Sequence, residues 1–174
     1  AVNRADDFAM IPEQNIGHAM TAMMAQNSGA GKKERMREGF RCGMILELVY
    51  GMALFLLCFV LAEPLVGLFA KDQEVILHGS RYLRLIAPMY LLPALTNGIQ
   101  GYFRGIGDLK MTLLASFINM GGRVGSAFIL VFGLHIGLDQ LPWAYFVGWI
   151  GMLLLEVPLL YKNYKGRGKQ QEKE

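Results

Sequence analysis

Long apolar segments separated by short charged blocks dominate this sequence. The strongest runs from Cys42 to Ala62, CGMILELVYGMALFLLCFVLA, and a single glutamate, Glu47, interrupts it. A bilayer core about 30 Å thick needs roughly 20 apolar residues in helical form. Charged residues make up 18% of the chain, whereas soluble domains carry about 25%. The pattern therefore predicts an all-α membrane protein, folded as a polytopic helical bundle.

About five transmembrane helices are predicted, at 7–25, 42–62, 85–103, 111–134 and 141–161. The first is the weakest because polar residues dilute it, so we expect it to line a cavity or to pack inside the bundle. Between the second and third spans, amphipathic turns predict a short helix at the membrane surface. The basic segment 162–174 has no apolar pattern and is predicted to be a disordered tail.

The distribution of basic residues predicts an orientation. Most Lys and Arg residues lie in the blocks 28–41, 104–110 and 162–174, which share one side if five helices cross. The positive-inside rule places that side, with the GAGKKE loop and the C-terminus, in the cytoplasm of a multi-pass plasma-membrane protein. The loop is not a phosphate-binding loop, because it lacks the earlier glycine and the Ser or Thr after the lysine.

Several function classes are disfavoured by the sequence. No nucleophile–base arrangement, cofactor motif or metal-ligand spacing occurs, so neither an enzyme, a cofactor nor a metal site is expected. The net charge of +3 comes without an aromatic and basic stripe, so no nucleic-acid partner is expected. The chain starts at Ala1 without a methionine, which suggests a fragment or a trimmed chain.

Four stretches carry a family resemblance. They are a proline helix running into a Gln-Asn-x-Gly-Ala-Gly loop (Pro12, Gly17, Gln26, Asn27, Gly29, Ala30, Gly31), a Leu-Phe-x-x-Asp-x-Glu-Val turn before Tyr-Leu-Arg (Leu68, Phe69, Asp72, Glu74, Val75, Tyr82, Leu83, Arg84), Tyr-Phe-Arg-Gly-x-Gly-Asp (Tyr102 to Asp108, then Lys110), and a closing helix with Trp149. In this order the chain resembles the C-terminal half of a multidrug and toxic compound extrusion (MATE) transporter.

The resemblance implies half of a two-lobe transporter with twelve helices, of which this chain is similar to helices eight to twelve. It implies export of drugs or organic cations in exchange for Na⁺ or H⁺ by alternating access. The implied partners are the lipid bilayer, a small cationic or amphipathic substrate and the missing N-terminal lobe. Some members use acidic residues on helices seven and ten, and others an aspartate on helix one. The segment similar to helix ten, 85–103, has no Asp or Glu, so no family cation ligand carries over.

Polar residues beside prolines are the first candidates for a substrate or ion cavity. Glu13 and Gln14 follow Pro12, where a helix break would free backbone carbonyls for an ion or substrate. Asn97 and Gln100 share one side of a helix and could form the other cavity face. Hydrogen bonding between helices is the structural alternative for this second pair.

Three charged residues inside predicted spans are the remaining candidates. Arg123 lies deep in its span, where it would pair with Glu47 or Glu156, form a structural ion pair or face a water-filled cavity. Glu47 is close enough to the predicted cytoplasmic end for its carboxylate to reach water, and Glu156 is similar. Proton coupling, solvation and structural pairing all stay open for both. Close helix packing is expected at Gly121, Gly122 and Gly125.

Two other functions stay open from the sequence. A lipid-linked sugar flippase of the same superfamily would need a more cationic cavity, and Arg123 is the one buried cation expected. The chain could also be a fragment or a pairing subunit that transports nothing by itself.

Overall fold

Seven α-helices account for most of the residues that a computed structural model describes. The model describes residues 2–133 and 142–171, with side chains at 10–132 and 142–164. The helices are α1 (Val2–Gly29), α2 (Lys33–Val60), α3 (Ala62–Gly67), α4 (Gln73–Ile86), α5 (Leu91–Gly105), α6 (Leu109–Phe128) and α7 (Pro142–Gln171). A 3-10 turn, Ala87–Tyr90, precedes α5, and a π-helical turn, Ile129–Gly133, extends α6. No strand occurs among the described residues, and the all-α prediction is confirmed.

Aspartates in two of the resembling motifs start helices. The Asp72 carboxylate accepts a hydrogen bond from the Glu74 backbone N–H at 2.9 Å and caps α4. The Asp108 carboxylate accepts one from the Met111 N–H at 3.2 Å and caps α6. Such caps satisfy N–H groups that have no partner within the helix. Gly107, just before Asp108, has a φ of 85°, a conformation that glycine adopts without steric cost.

Small residues bring the helices together in two groups. Helix α1 packs against α2 and α5, while α6 packs against α7, which also contacts α5. A Cβ atom on Gly101 would lie 2.8 Å from the Gly17 carbonyl oxygen, so α1 and α5 meet backbone to backbone. A Cβ on Gly122 would lie 3.3 Å from the Gly148 Cα, which confirms one predicted close contact. Among the described residues nothing lies within 4 Å of a Cβ at Gly121 or Gly125, so the prediction was wrong there, and both glycines are exposed.

Two hydrophobic clusters lie towards opposite ends of the bundle. One joins α2, α3, α4 and the 3-10 turn, and its buried members are Leu54, Cys58, Ala62, Val66, Leu83, Ala87 and Tyr90. The other joins α1, α2, α5, α6 and α7 through Met24, Met36, Ile99, Tyr102, Phe103, Met111, Ala115 and Met152. The candidate polar residues of α1 and α2 fall between the two clusters along each helix.

Three described helical segments are long and apolar enough to cross a membrane: Lys33–Val60, Leu109–Phe132 and Pro142–Tyr164. They correspond to the second, fourth and fifth predicted spans. The span predicted at 85–103 is not one helix, because the chain passes from α4 through the 3-10 turn at Pro88 into α5. With 15 residues, α5 is shorter than the roughly 20 that cross a bilayer core. The first predicted span lies within α1 and remains a prediction.

The segments flanking the spans differ from the sequence prediction in two ways. The surface helix after α2 is a pair, α3 and α4, joined by an ion pair in which Arg84 Nη2 lies 3.1 Å from Glu63 Oε1. The tail from 162 is helical as far as Gln171, because α7 continues without interruption, so the prediction of disorder is wrong over 162–171. The predicted boundaries at Leu134 and Leu141, and residues 172–174, lie outside the described residues.

Candidate functional site

Glu13 lies on the inner face of α1 and is completely buried. Gly17 follows it by one helical turn on the same face, and this face packs against α2 and α5. Neither carboxyl oxygen of Glu13 has a hydrogen-bond partner among the described residues. The predicted helix break at Pro12 is absent, because α1 continues through the proline. Pro12 still removes one N–H from the helix, which leaves the backbone carbonyl of residue 8 without its usual partner.

Glu47 is also completely buried, and the prediction that its carboxylate reaches water is wrong. Helix α2 begins at Lys33 rather than at Cys42, so Glu47 lies near the midpoint of a 28-residue helix. Both of its carboxyl oxygens lack a hydrogen-bond partner among the described residues. An ionised carboxylate removed from water without a partner is very costly, so such a position calls for a proton, a cation or a movement.

Helices α1, α2 and α5 converge around these two carboxyl groups. A Cβ on Gly17 would lie 3.6 Å from Glu47 Oε1 and 3.4 Å from the Asn97 carbonyl oxygen. A Cβ on Gly98 would lie 3.7 Å from Glu47 Cγ, so the glutamate side chain passes between two glycines. Glu13 and Glu47 lie close enough to interact electrostatically. The two carboxyl groups form no ion pair with a described side chain, and with the nearby carbonyl oxygen they make a set of oxygens suited to a cation or a shared proton.

A third buried carboxyl group, Glu156, lies near the midpoint of the 30-residue helix α7. Its Oε1 accepts a hydrogen bond from Gln100 Nε2 at 3.3 Å, and its Oε2 has no partner among the described residues. Arg104, one turn after Gln100, lies within electrostatic range of Glu156 but donates its Nε–H to the Gln100 carbonyl oxygen at 3.3 Å. In this α5–α7 contact, one carboxyl oxygen of Glu156 is therefore hydrogen-bonded and the other is not.

Asn97 and Gln100 do not form one cavity face. Asn97 lies beside Gly17 of α1, whereas Gln100 contacts Glu156 of α7. Three residues advance a helix by about 300°, so the two side chains diverge by about 60°, and α1 and α7 approach α5 from different sides. Gln14 is exposed and is turned by about 100° around α1 from the buried Glu13, so its side chain does not share the enclosed face.

Arg123 does not pair with Glu47 or Glu156. Its guanidinium carbon lies 3.9 Å from the centre of the Tyr145 ring on α7, and no described carboxylate forms an ion pair with it. Stacking on an aromatic face stabilises a cation that has left water. The arginine therefore contributes to the α6–α7 contact. The expected ion pair was wrong because Glu156 lies eleven residues beyond Tyr145 on α7 and faces α5, while Glu47 lies between α1 and α5.

Sequence reasoning found Glu13, Glu47 and Gln100 but missed what surrounds them. Gly17 and Gly98 lie directly beside the Glu47 side chain. In the sequence, small residues such as these indicate only that helices can pack closely. Tyr50 follows Glu47 by about one turn on α2 and lies within electrostatic range of Glu13, and nothing in its spacing indicated this. No group of three or more His, Cys, Asp or Glu side chains gathers in the described part of the chain.

Comparison with known proteins gives the family of this bundle. A model of the family described as MatE matches residues 1–137. The chain belongs to the MatE family. This confirms the resemblance seen in the four motifs and establishes a multi-pass, helical membrane protein of a transporter family.

The most informative relatives differ in what their names say they carry. The chain is 26% identical over 149 residues to a probable multidrug resistance protein NorM of Thermotoga maritima, covering 85% of this chain and 31% of that protein. It is 28% identical over 130 residues to a probable multidrug resistance protein YoeA of Bacillus subtilis, covering 74% and 28%. A FAD transporter of Shewanella oneidensis is 23% identical over 117 residues, covering 65% and 26%.

A solved structure shares the fold. It is described as the inward-facing conformation of a multidrug resistance MATE family transporter of the MOP superfamily, and it superposes with a TM-score of 0.79. The match has 19% identity and covers 86% of this chain and 34% of that one. The chain thus spans about a third of the solved transporter and 26–31% of these curated relatives.

Proposed function

We propose that this chain forms part of one lobe of a secondary antiporter that exports drugs or organic cations in exchange for Na⁺ or H⁺. Membership of the MatE family and relatives named as multidrug resistance proteins support the export of drugs. The observation that carries the ion-coupled mechanism is the pair Glu13 and Glu47, buried between α1, α2 and α5 with four unpartnered carboxyl oxygens.

The coupling ion would act at the contact between α1 and its neighbours. A cation or proton between Glu13 and Glu47 removes their mutual repulsion and allows α1 to stay packed on α2 and α5. Loss of that ion would favour a state in which the carboxyl groups reach water, and this changes the packing of α1. Alternating access needs such a difference in ion affinity between two packings.

The proposed transporter needs parts that lie beyond this chain. The missing N-terminal lobe would supply the other wall of a midplane cavity, and the lipid bilayer would cover the apolar outer faces. A small cationic or amphipathic molecule would occupy the cavity. The GAGKKE loop and the C-terminal end of α7 would face the cytoplasm, as the charge distribution predicts.

The flippase alternative is less well supported. A lipid-linked sugar carries phosphate groups, which cationic side chains facing the cavity would bind. Arg123, the cation expected for that role, stacks on Tyr145 instead. The carboxyl groups enclosed between α1, α2 and α5 would favour a cation rather than a phosphate there.

Efflux in reconstituted vesicles tests the proposal. The protein, expressed from its full reading frame, is placed in vesicles loaded with ethidium, and a Na⁺ or a proton gradient is imposed separately. We expect efflux driven by one gradient, its loss in Glu47→Gln, and normal efflux in Glu63→Gln, whose exposed carboxylate lies in α3. Equal ethidium loss with and without the protein under both gradients overturns the export function and favours a non-transporting subunit. Driven efflux that survives Glu47→Gln overturns only the assigned coupling site.

A further inference from the structure

A second polar feature lies at the end of the bundle where α2 begins, away from the buried carboxyl groups. It is a shallow cleft, open to solvent, between α2, α5 and α7. Its lining residues are Lys33, Met36, Arg37, Tyr102 and Tyr164. The transport mechanism proposed above makes no use of it.

Basic residues form a continuous stripe along one side of the cleft. Lys33, Arg37 and Arg41 follow one another at intervals of four residues, so they project from the same face of α2. None of the three forms an ion pair with another described side chain. Arg37 approaches an aromatic ring, with its guanidinium carbon 6.0 Å from the centre of Tyr164. The stripe therefore presents three positive charges that no described carboxylate pairs with directly, while Glu34 and Glu38 lie beside it on α2.

Aromatic rings form the floor of the cleft. The ring centres of Phe40 and Tyr102 are 5.3 Å apart, and each lies within 6 Å of the Tyr164 ring, at 5.8 and 5.9 Å. Phenol rings have an apolar body and a polar hydroxyl group, and they concentrate where a membrane meets water.

The position of the cleft along α2 matches the edge of a bilayer. Immediately after Arg41 the helix becomes the long apolar run, with Ile45, Leu46 and Val49 exposed on its outer face. In a membrane these exposed side chains contact acyl chains. The stripe then lies one to three turns nearer to water, at the depth of lipid headgroups.

We propose that this cleft binds the phosphate headgroup of an anionic phospholipid. Lys33 and Arg37 contact the phosphate oxygens, Arg41 adds to the attraction, and the partly exposed ring of Tyr164, supported from beneath by Tyr102, packs on the glycerol and the first acyl carbons. Basic pockets between transmembrane helices are suited to anionic headgroups. An acidic soluble partner fits less well, because it would have to cover the apolar face that begins directly after Arg41.

Native mass spectrometry of the protein, expressed from its full reading frame, tests this site. The purified protein is titrated with phosphatidylglycerol and, separately, with phosphatidylcholine. We expect tighter binding of phosphatidylglycerol, and a loss of about 25-fold in Lys33→Gln/Arg37→Gln, at about fivefold for each charge. The matched control is Arg35→Gln, which removes an equally basic, exposed residue of α2 that does not line the cleft. It should change the affinity less than twofold.

Three results would overturn the proposal. Equal affinity for the two lipids refutes a headgroup site. An Arg35→Gln loss as large as that of the double variant refutes the cleft as its location. Displacement of the lipid by millimolar inorganic phosphate indicates a soluble anion site instead. If the double variant fails to fold, Lys33→Gln alone and Arg37→Lys decide, with a fivefold loss expected in the first and little change in the second. None of these readouts depends on transport.

Discussion

Replacing Glu47 by methionine should make the protein more stable and disable it at the same time. The two side chains have similar length, but methionine has no charge and no oxygen that needs a partner. Both oxygens of Glu47 are buried without a hydrogen-bond donor in the described structure. An unsatisfied buried polar group costs about 1–3 kcal/mol, so Glu47→Met should raise the free energy of unfolding by about that amount.

Thermal unfolding of the purified protein measures the effect. For a chain of this size, each kcal/mol shifts the unfolding midpoint by about 2–4 °C, so a rise of about 2–12 °C is expected without Na⁺. Adding Na⁺ at about 100 times its dissociation constant would stabilise the wild-type protein by about 2.7 kcal/mol if Na⁺ is the coupling ion. Glu47→Met should show no such gain. The advantage of the variant should therefore shrink or reverse as Na⁺ is added.

Glu63→Gln is the control for this measurement. Its carboxylate is exposed and pairs with Arg84 at the surface, so its removal should cost less than about 1 kcal/mol and should leave any response to Na⁺ intact. A fall of several degrees in the midpoint of Glu47→Met in Na⁺-free buffer would refute the reasoning, because it would mean that the carboxyl group has a stabilising partner.

Three further substitutions test the helix contacts by thermal unfolding. Gly101→Val should destabilise the protein by about 1–3 kcal/mol, because its Cβ would lie 2.8 Å from the Gly17 carbonyl oxygen. The control Gly125→Ala should have no measurable effect, because no described atom lies within 4 Å of its Cβ. Equal losses in the two variants would contradict the α1–α5 geometry. Arg123→Met should lose about 0.5–2 kcal/mol of cation–π stabilisation, and an unchanged midpoint would mean that the stacked contact contributes nothing. Gln100→Leu should lower the free energy of unfolding by about 1–3 kcal/mol, because it removes the hydrogen-bond donor to Glu156. Adding Glu156→Met should restore most of that stability. If the double variant instead loses the sum of the two single losses, the two side chains are not coupled.

Sequence reasoning predicted the outer parts of this bundle better than its inner contacts. The apolar runs identified α2, α6 and α7 because lipid-facing helices must be apolar, and hydropathy measures that requirement directly. Hydropathy located the ends of the helices poorly, because a helix can continue through polar residues beyond the membrane. The error moved Glu47 from the middle of α2 to an apparent end.

The inner contacts depend on which helices pair, and spacing along the chain does not determine that. Asn97 and Gln100 are neighbours on the surface of α5, but Asn97 lies beside α1 whereas Gln100 contacts α7. Arg123 finds an aromatic ring rather than a carboxylate because α6 pairs with α7 at the level of Tyr145.

The complete burial of Glu13, Glu47 and Glu156 indicates that these carboxyl groups have a function other than stabilising the bundle. Helix α6 turns its large side chains outward, with Phe117 at 71% exposure, while the glutamates of α1, α2 and α7 are fully enclosed. A bundle selected only for stability in lipid would bury apolar residues at these positions, since each unpaired carboxyl group destabilises it. Gly17 and Gly98 allow α1 and α5 to approach the Glu47 side chain closely, and a side chain at Gly98 would clash first with Met44. Under the mechanism that we propose, an ion bound there would change how α1 packs on α2 and α5, which is the link that ion-coupled transport requires.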